Sequence, residues 1–200
     1  MVRYSVHPGV VMTMKWIETL KEKTGHSLDE WMTLIAKDAP SDPRKRVEWL
    51  KKKHGLGTNS AIWLADRSMG VNKELGDGDD YLKIAPKYVD ALYEGPKSAL
   101  RQLHDALIDL ALTLGKDIRI SPTKTTVPIY RNHVIAQIKP STRTRIDFGL
   151  ALGDTKATGR LIDTGGFAKK DRITHRIAVA SAADIGDELK RWLKRAYDLD

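Results

Sequence analysis

Hydrophobic and polar positions alternate with period two through residues 123–152. Thr144, Ile146, Phe148, Leu150 and Leu152 point one way, and Arg143, Arg145 and Asp147 point the other. Alternation carried by β-branched and aromatic residues marks a half-buried antiparallel strand. A turn at Pro140-Ser141-Thr142 sets Lys139 against Arg143, Gln137 against Arg145 and Ile135 against Asp147. It also brings Val134, Ala136 and Ile138 to the side of Ile146 and Phe148. A two-residue loop at Arg131-Asn132 then sets Ile129 against Val134, Val127 against Ala136 and Lys124 against Lys139. This register predicts an outer face with Lys124, Lys139 and Arg143 in one row and Thr126, Gln137 and Arg145 beside it. Like charges directly opposed across strands are destabilising, so such a row calls for splayed side chains or an anionic partner.

The flanking pattern completes an α+β unit. Pro86 to Glu94 predicts a short helix and Pro96 to Leu114 a longer one, with Leu100, Leu103, Leu107, Ile108 and Leu114 on its inner side and His104 off that face. A strand at Ile118 to Ile120 precedes the meander, and Gly159 to Gly166 is a loop with one short strand. Ile173, His175, Ile177 and Val179 make the inner face of a last strand, with Arg176 outward. Ser181 with Asp184 caps a terminal helix with the stripe Ile185, Leu189, Trp192, Leu193 and Tyr197. Helices on one face of an antiparallel sheet are the expected result.

Ahead of this the apolar period is helical throughout. Met12, Trp16, Ile17 and Leu20 share a face up to Gly25, and Ser27-Leu-Asp-Glu30 is a capping box opening a helix that buries Leu28, Trp31, Met32 and Ile35. Asp42-Pro43 starts a third helix, with proline where its missing N–H costs nothing. Trp16, Trp31 and Trp49 are read as core anchors. Gly55-Leu56-Gly57, preceded by Lys51, Lys52 and Lys53 and followed by Thr58 and Ala61, resembles a helix-hairpin-helix turn. In that motif glycines let backbone N–H groups at a helix start approach a phosphate. The plainer reading is a C-cap glycine, a tight turn and a solvated lysine run.

The Gly- and Asp-rich stretch 70–86 is expected to link an all-helical domain, 1–69, to the α+β domain, 87–200. Asp77-x-Asp79 resembles the start of a calcium loop, but Tyr81, Leu82 and Tyr88 stand where an oxygen ligand, a glycine and a glutamate are needed.

Charge sharpens this picture. The 200 residues carry a net charge of +8, and residues 116–176 alone hold 13 Lys and Arg against 5 Asp. A basic excess concentrated in the β-rich stretch points to nucleic acid or another polyanion. The absence of cysteine excludes disulfides, thiolate metal sites and cysteine nucleophiles, and fits a cytoplasmic protein. No apolar run suits a membrane span, and the start of the chain lacks the core of a secretory signal.

Several segments together resemble a bacterial domain of unknown function. These are Val89-Asp-Ala-Leu-Tyr-Glu-Gly95, Ser121-Pro-Thr-Lys-Thr-Thr-Val127, Ile135-Ala-Gln-Ile-Lys-Pro140, Arg145-Ile-Asp-Phe-Gly-Leu150, Gly159-Arg-Leu161, Thr174-His-Arg-Ile177 and Asp187 to Tyr197. Residues 11–65, through Glu22 to Trp31 and Lys53-His-Gly-Leu-Gly57, resemble the helical domain that precedes it in a two-domain family. Relatives of the C-terminal domain also occur with predicted nuclease-like modules, so the resemblance implies a nucleic-acid context.

Reaction chemistry is harder to find. There is no phosphate loop, nucleophile elbow or His-Glu-x-x-His helix, and the six histidines are scattered. The expectation is a protein with no catalytic residues, metal or cofactor. It would bind nucleic acid, DNA or RNA undecided, through Lys124, Lys139, Arg143, Arg145, Arg160, His175 and Arg176, with Lys52, Lys53, Gly55, Gly57 and Thr58 as a second grip. The alternative is a sensor or enzyme for a small anionic ligand, with Lys124, Arg145, Asp147, Arg160 and His175 lining one polar pocket. A third possibility is a protein-interaction module.

Overall fold

The computed structural model describes residues 4–71 and 73–200. The first three residues, part of the start read as lacking a secretory signal, lie outside the described residues. The chain divides into two compact units, residues 6–81 and, among the described residues, 4–5 with 82–200.

The first unit is helical: α1 (Pro8–Glu18), α2 (Leu20–Thr24), α3 (Leu28–Asp38), α4 (Pro43–His54) and α5 (Thr58–Ser68). The capping box forms as expected. The Glu30 N–H donates to Ser27 Oγ at 3.3 Å, and the Ser27 N–H donates to Glu30 Oε2 at 2.6 Å. That Ser27 N–H and the Lys21 ammonium hold the Glu30 carboxyl down to about 2. Leu20, Trp31, Ile35, Leu50, Ala61, Leu64 and Ala65 make the core, and Trp31 donates its indole N–H to Thr24 Oγ1 at 2.8 Å. Trp16 and Trp49 pack at its margin.

The stretch expected as a linker is helical from Gly78 onward, in α6 (Gly78–Leu92). Its acid-rich composition is a helix start: Asp77 Oδ1 accepts the Asp80 N–H at 2.9 Å, and Asp79 and Asp80 sit in the first turn, where the helix dipole favours carboxylates. The expected helix start at Pro86 therefore falls eight residues inside a longer helix.

The second unit carries a six-stranded, fully antiparallel sheet. Its strands are β1 (Arg119–Ile120), β2 (Val127–Tyr130), β3 (Val134–Pro140), β4 (Ile146–Leu150), β5 (Ile162–Asp163) and β6 (His175–Val179), in the order β1-β2-β3-β4-β6-β5. Ahead of β1, the Ser5 N–H donates to the Ile120 carbonyl at 2.8 Å, and the buried Ser121 hydroxyl donates to the Ser5 carbonyl at 3.0 Å. Helices α7 (Arg101–Leu112) and α8 (Asp187–Asp198) supply Leu107, Ile108, Ala111, Leu189, Leu193 and Ala196 to the core formed with Val127, Ile129, Ala136, Ile138, Ile146, Phe148, Leu150, Ile177 and Val179. Each fully buried Val, Leu, Ile or Phe side chain contributes about 1.5–3 kcal/mol of transfer free energy. The α+β architecture holds: a helical unit, then a sheet with helices on one face.

Three local expectations are corrected. Ser181 and Asp184 cap a single 3-10 turn, Ala182–Asp184, and α8 starts beyond it at Asp187. His104 lies on the buried face of α7 and meets the Tyr93 hydroxyl at 3.1 Å, because a polar ring is tolerated in the core once it has such a partner. Ile173, expected beside His175, lies over the opposite face of the sheet. A Cβ on Gly149 would stand 2.7 Å from Ile173 Cγ2, so the missing side chain makes its slot.

No helix among the described residues is long and apolar enough to cross a membrane.

Candidate functional site

The register of the sheet decides which cations meet. Lys139 pairs with Asp147 rather than Arg143, and Gln137 pairs with Gly149 rather than Arg145. The turn between β3 and β4 spans residues 141–145, closed by the Ser141 and Thr142 N–H groups donating to the Arg145 carbonyl at 3.1 and 3.2 Å. Arg143 is therefore an exposed loop residue. Between β2 and β3 the observed partners are Val127 with Ile138 and Ile129 with Ala136, with a bulge at Ile129/Tyr130. Lys124 leaves the row as well. It sits in the turn closed by Thr123 Oγ1 and the Thr126 N–H at 3.1 Å, with its ammonium 5.9 Å from the Tyr88 ring centroid. The expected row of opposed lysine and arginine does not form. An acid stands across from Lys139, which removes the like-charge repulsion.

Asp147 is the centre of what forms instead. Its Oδ1 lies 3.0 Å from Arg145 Nε and 3.1 Å from Arg176 Nη1, so two guanidinium groups converge on one oxygen of a carboxylate that is 19% exposed. Among the described residues Lys139 and Arg143 make no ion pair. Two guanidinium groups thus meet Asp147, Lys139 stands opposite it across the strands, and Arg143 lies in the adjoining turn. Lys97 comes to the same end of β3, donating to the Pro140 carbonyl at 2.7 Å. Its distance in sequence, on the 3-10 turn Gly95–Leu100, left no local signal for this role.

The other two candidates of this unit are used internally. Arg160 donates to the Ala178 and Asp184 carbonyls at 2.7 and 3.1 Å and lies 2.9 Å from Asp184 Oδ1. The Ala180 and Ser181 N–H groups and Arg160 hold the Asp184 carboxyl below its usual range against the opposing effect of burial. His175 is 1% exposed on the helix-covered face. Its Nε2–H donates to the Thr155 carbonyl at 2.7 Å, which leaves Nδ1 to accept from the Thr174 hydroxyl at 2.8 Å, while Thr174 Oγ1 accepts the Leu152 N–H at 3.2 Å. With both ring nitrogens engaged, this imidazole is a structural strut. The polar pocket proposed to hold Arg145, Arg160 and His175 together is not formed, because Arg145 and His175 belong to opposite faces of the sheet.

In the helical unit Gly55 ends α4 with φ +68, and Gly57 precedes α5 with φ −63. A Cβ at either glycine would meet nothing within 4 Å, so the turn is open to solvent. Thr58 begins α5, and Lys53 lies 5.4 Å from the Trp49 ring centroid. Lys52 is 3.3 Å from Glu48, and the Lys52 and Lys51 ammonium groups lower the Glu48 carboxyl. Among the described residues no three His, Cys, Asp or Glu side chains come together to hold a metal ion.

The family model described as Domain of unknown function (DUF5655) matches residues 89–200, more than half of the chain. The chain belongs to the DUF5655 family. A second model, Domain of unknown function (DUF4287), matches residues 13–67. No curated protein and no solved structure matches the chain. The DUF5655 region contains Asp147 with Arg145, Arg176 and Lys139, the turn residue Arg143, Lys97 and the anchored Arg160. The DUF4287 region contains the whole Gly55–Thr58 turn and the lysines before it.

Proposed function

We propose that this protein binds nucleic acid without catalysing a reaction on it, and that the face of its DUF5655 sheet opposite the helices makes the main contact. Lys139, Arg143, Arg145 and Arg176 would meet backbone phosphates, with the Gly55–Thr58 turn of the DUF4287 domain adding a second. The observation carrying this reading is that Arg145 and Arg176 share one carboxylate while Lys139 and Arg143 make no ion pair among the described residues. A guanidinium sharing its counter-charge keeps N–H donors in fixed directions for a phosphate, the geometry arginine suits best. Phosphate contacts fix position without reading bases, so binding is expected to be weakly selective for sequence and steeply salt dependent.

The test is fluorescence anisotropy of labelled DNA and RNA across a salt series. Reversing Lys139, Arg143 and Arg145 to glutamate is expected to reduce the magnitude of the log–log salt slope by about 3. An unchanged slope removes the sheet face from the interface. Thermal stabilisation by a nucleotide or phosphorylated metabolite that resists moderate salt, without binding to either polymer, would favour the small-ligand alternative.

A further inference from the structure

A second basic surface lies along α8, built from residues the meander pattern does not touch. Because α8 buries Leu189, Leu193 and Ala196, it turns Lys190, Arg191, Lys194 and Arg195 outward. Two depressions of about 930 and 790 Å³ flank this helix and share Arg195 and Leu199 as lining. The first is walled by Thr158 and Trp192, the second by Leu152 and Phe167. Six cations line them against three acids, Asp154, Asp171 and Asp198. Lys190 lies 3.5 Å from Asp187, Lys194 pairs with Asp198, and Arg172 pairs with Asp200. Among the described residues Arg191, Arg195 and Lys170 have no ion pair.

Phe167 is 58% exposed and is the sole exposed Phe, Tyr or Trp among the described residues. Its loop is firmly built. The Lys169 and Asp171 N–H groups donate to the Gly166 carbonyl at 3.1 and 2.9 Å, and a Cβ on Gly166 would stand 2.4 Å from the Ile173 carbonyl oxygen. Lys170 holds φ +60, the one non-glycine residue with positive φ among those described. A positive φ at a residue with a side chain is disfavoured and persists where surrounding structure over-determines it. The result is an aromatic face held open in a groove beside cations.

We propose that this groove takes single-stranded nucleic acid, with an unpaired base stacked on Phe167 and the sugar–phosphate chain following Arg195 and Arg191. The inference rests on the nucleic-acid reading above and assigns a different surface. A groove that combines positive charge with an aromatic platform suits unpaired bases, whose faces are free, and a duplex offers no such face. An anionic bilayer fits less well. It would take an apolar side chain from a protruding tip, whereas Phe167 forms one wall of a depression that also contains Asp154 and Asp171.

Anisotropy of labelled oligothymidylate and of a duplex of equal length tests this on the full chain. Phe167→Ala is expected to weaken single-strand binding about tenfold, the effect of one lost base–aromatic stack, and to leave duplex binding unchanged. Phe167→Tyr should retain it, and Arg191→Glu with Arg195→Glu should weaken it further. Melting curves establish that these surface variants fold. If Phe167→Ala and the arginine pair leave single-strand binding intact while reversal of Lys139, Arg143 and Arg145 abolishes it, this groove is overturned and the sheet-face reading stands. If the native protein binds neither polymer, both fall. Binding to phosphatidylserine vesicles that is lost in Phe167→Ala, with no oligonucleotide bound, overturns the assignment in favour of a membrane surface.

Discussion

The two faces of the DUF5655 sheet treat their polar residues in opposite ways. On the helix-covered side His175 and Thr174 form a closed chain of hydrogen bonds from the Leu152 N–H to the Thr155 carbonyl. On the other side two arginines divide one carboxylate, and among the described residues Lys139 and Arg143 make no ion pair. A buried polar group must be satisfied within the protein, because water cannot reach it. An exposed cation can leave its partner to be supplied from outside. Histidine on a basic strand looks chemically promising in the sequence, yet both ring nitrogens of His175 are engaged inside the fold.

Breaking the satisfied side should cost most. His175→Leu leaves the Thr155 carbonyl without its ring donor and the Thr174 hydroxyl without its ring acceptor, and is expected to destabilise the unit by about 3 kcal/mol, read by denaturant unfolding. Nucleic-acid affinity of the remaining folded protein should not change.

Arg160 belongs with His175 in this comparison although it reaches solvent. Arg160→Ala should cost about 2 kcal/mol in the same experiment, because it strips a donor from two carbonyls and a cation from Asp184. The pH dependence follows from the depressed Asp184 carboxyl. Its contribution to stability is complete above the usual aspartate range, near pH 4, and is lost as pH falls through its lowered value. Asp184→Asn should flatten that part of the acid unfolding curve.

Asp147→Asn sharpens the other side. Freeing Arg145 and Arg176 from an internal competitor should tighten nucleic-acid binding on the order of threefold, since such a partly exposed pair is worth about 0–1 kcal/mol. Weaker binding would mean that Asp147 aims the arginines. The smallest effect is Lys52→Ala, which removes an exposed helical pair with Glu48 and should shift stability by less than about 0.5 kcal/mol.

How far these faces could be foreseen follows from the arithmetic of strands. The alternation of Ile146, Phe148 and Leu150 assigned every residue of β4 to its correct side, although the β3–β4 register was displaced by four positions and most of β2–β3 by two. Even displacements leave sides unchanged, so hydrophobic pattern alone could not reveal the slip. Arg143-Thr144-Arg145 continues the alternation through what is a loop, and only the like charges placed opposite Lys139 hinted that the strand began later. The Asp-Gly run at 76–80 shows a similar ambiguity, since helix caps and linkers favour the same residues. Lys97 and the α8 groove depend on contacts distant in sequence. Such contacts carry no local period.

The Ser5–Ile120 hydrogen bond has a practical consequence. Residues 4 and 5 lie against β1, and the strand at the opposite border, β5, is two residues long, so neither margin offers another chain a lengthy template. Among the described residues, 4 and 5 belong to the sheet-bearing unit, 6–81 build the helical one, and 82–200 belong to the sheet-bearing unit again. A fragment starting at residue 82 would therefore carry an unprotected flank, and self-association of such a piece would report the lost cover rather than a property of the intact molecule.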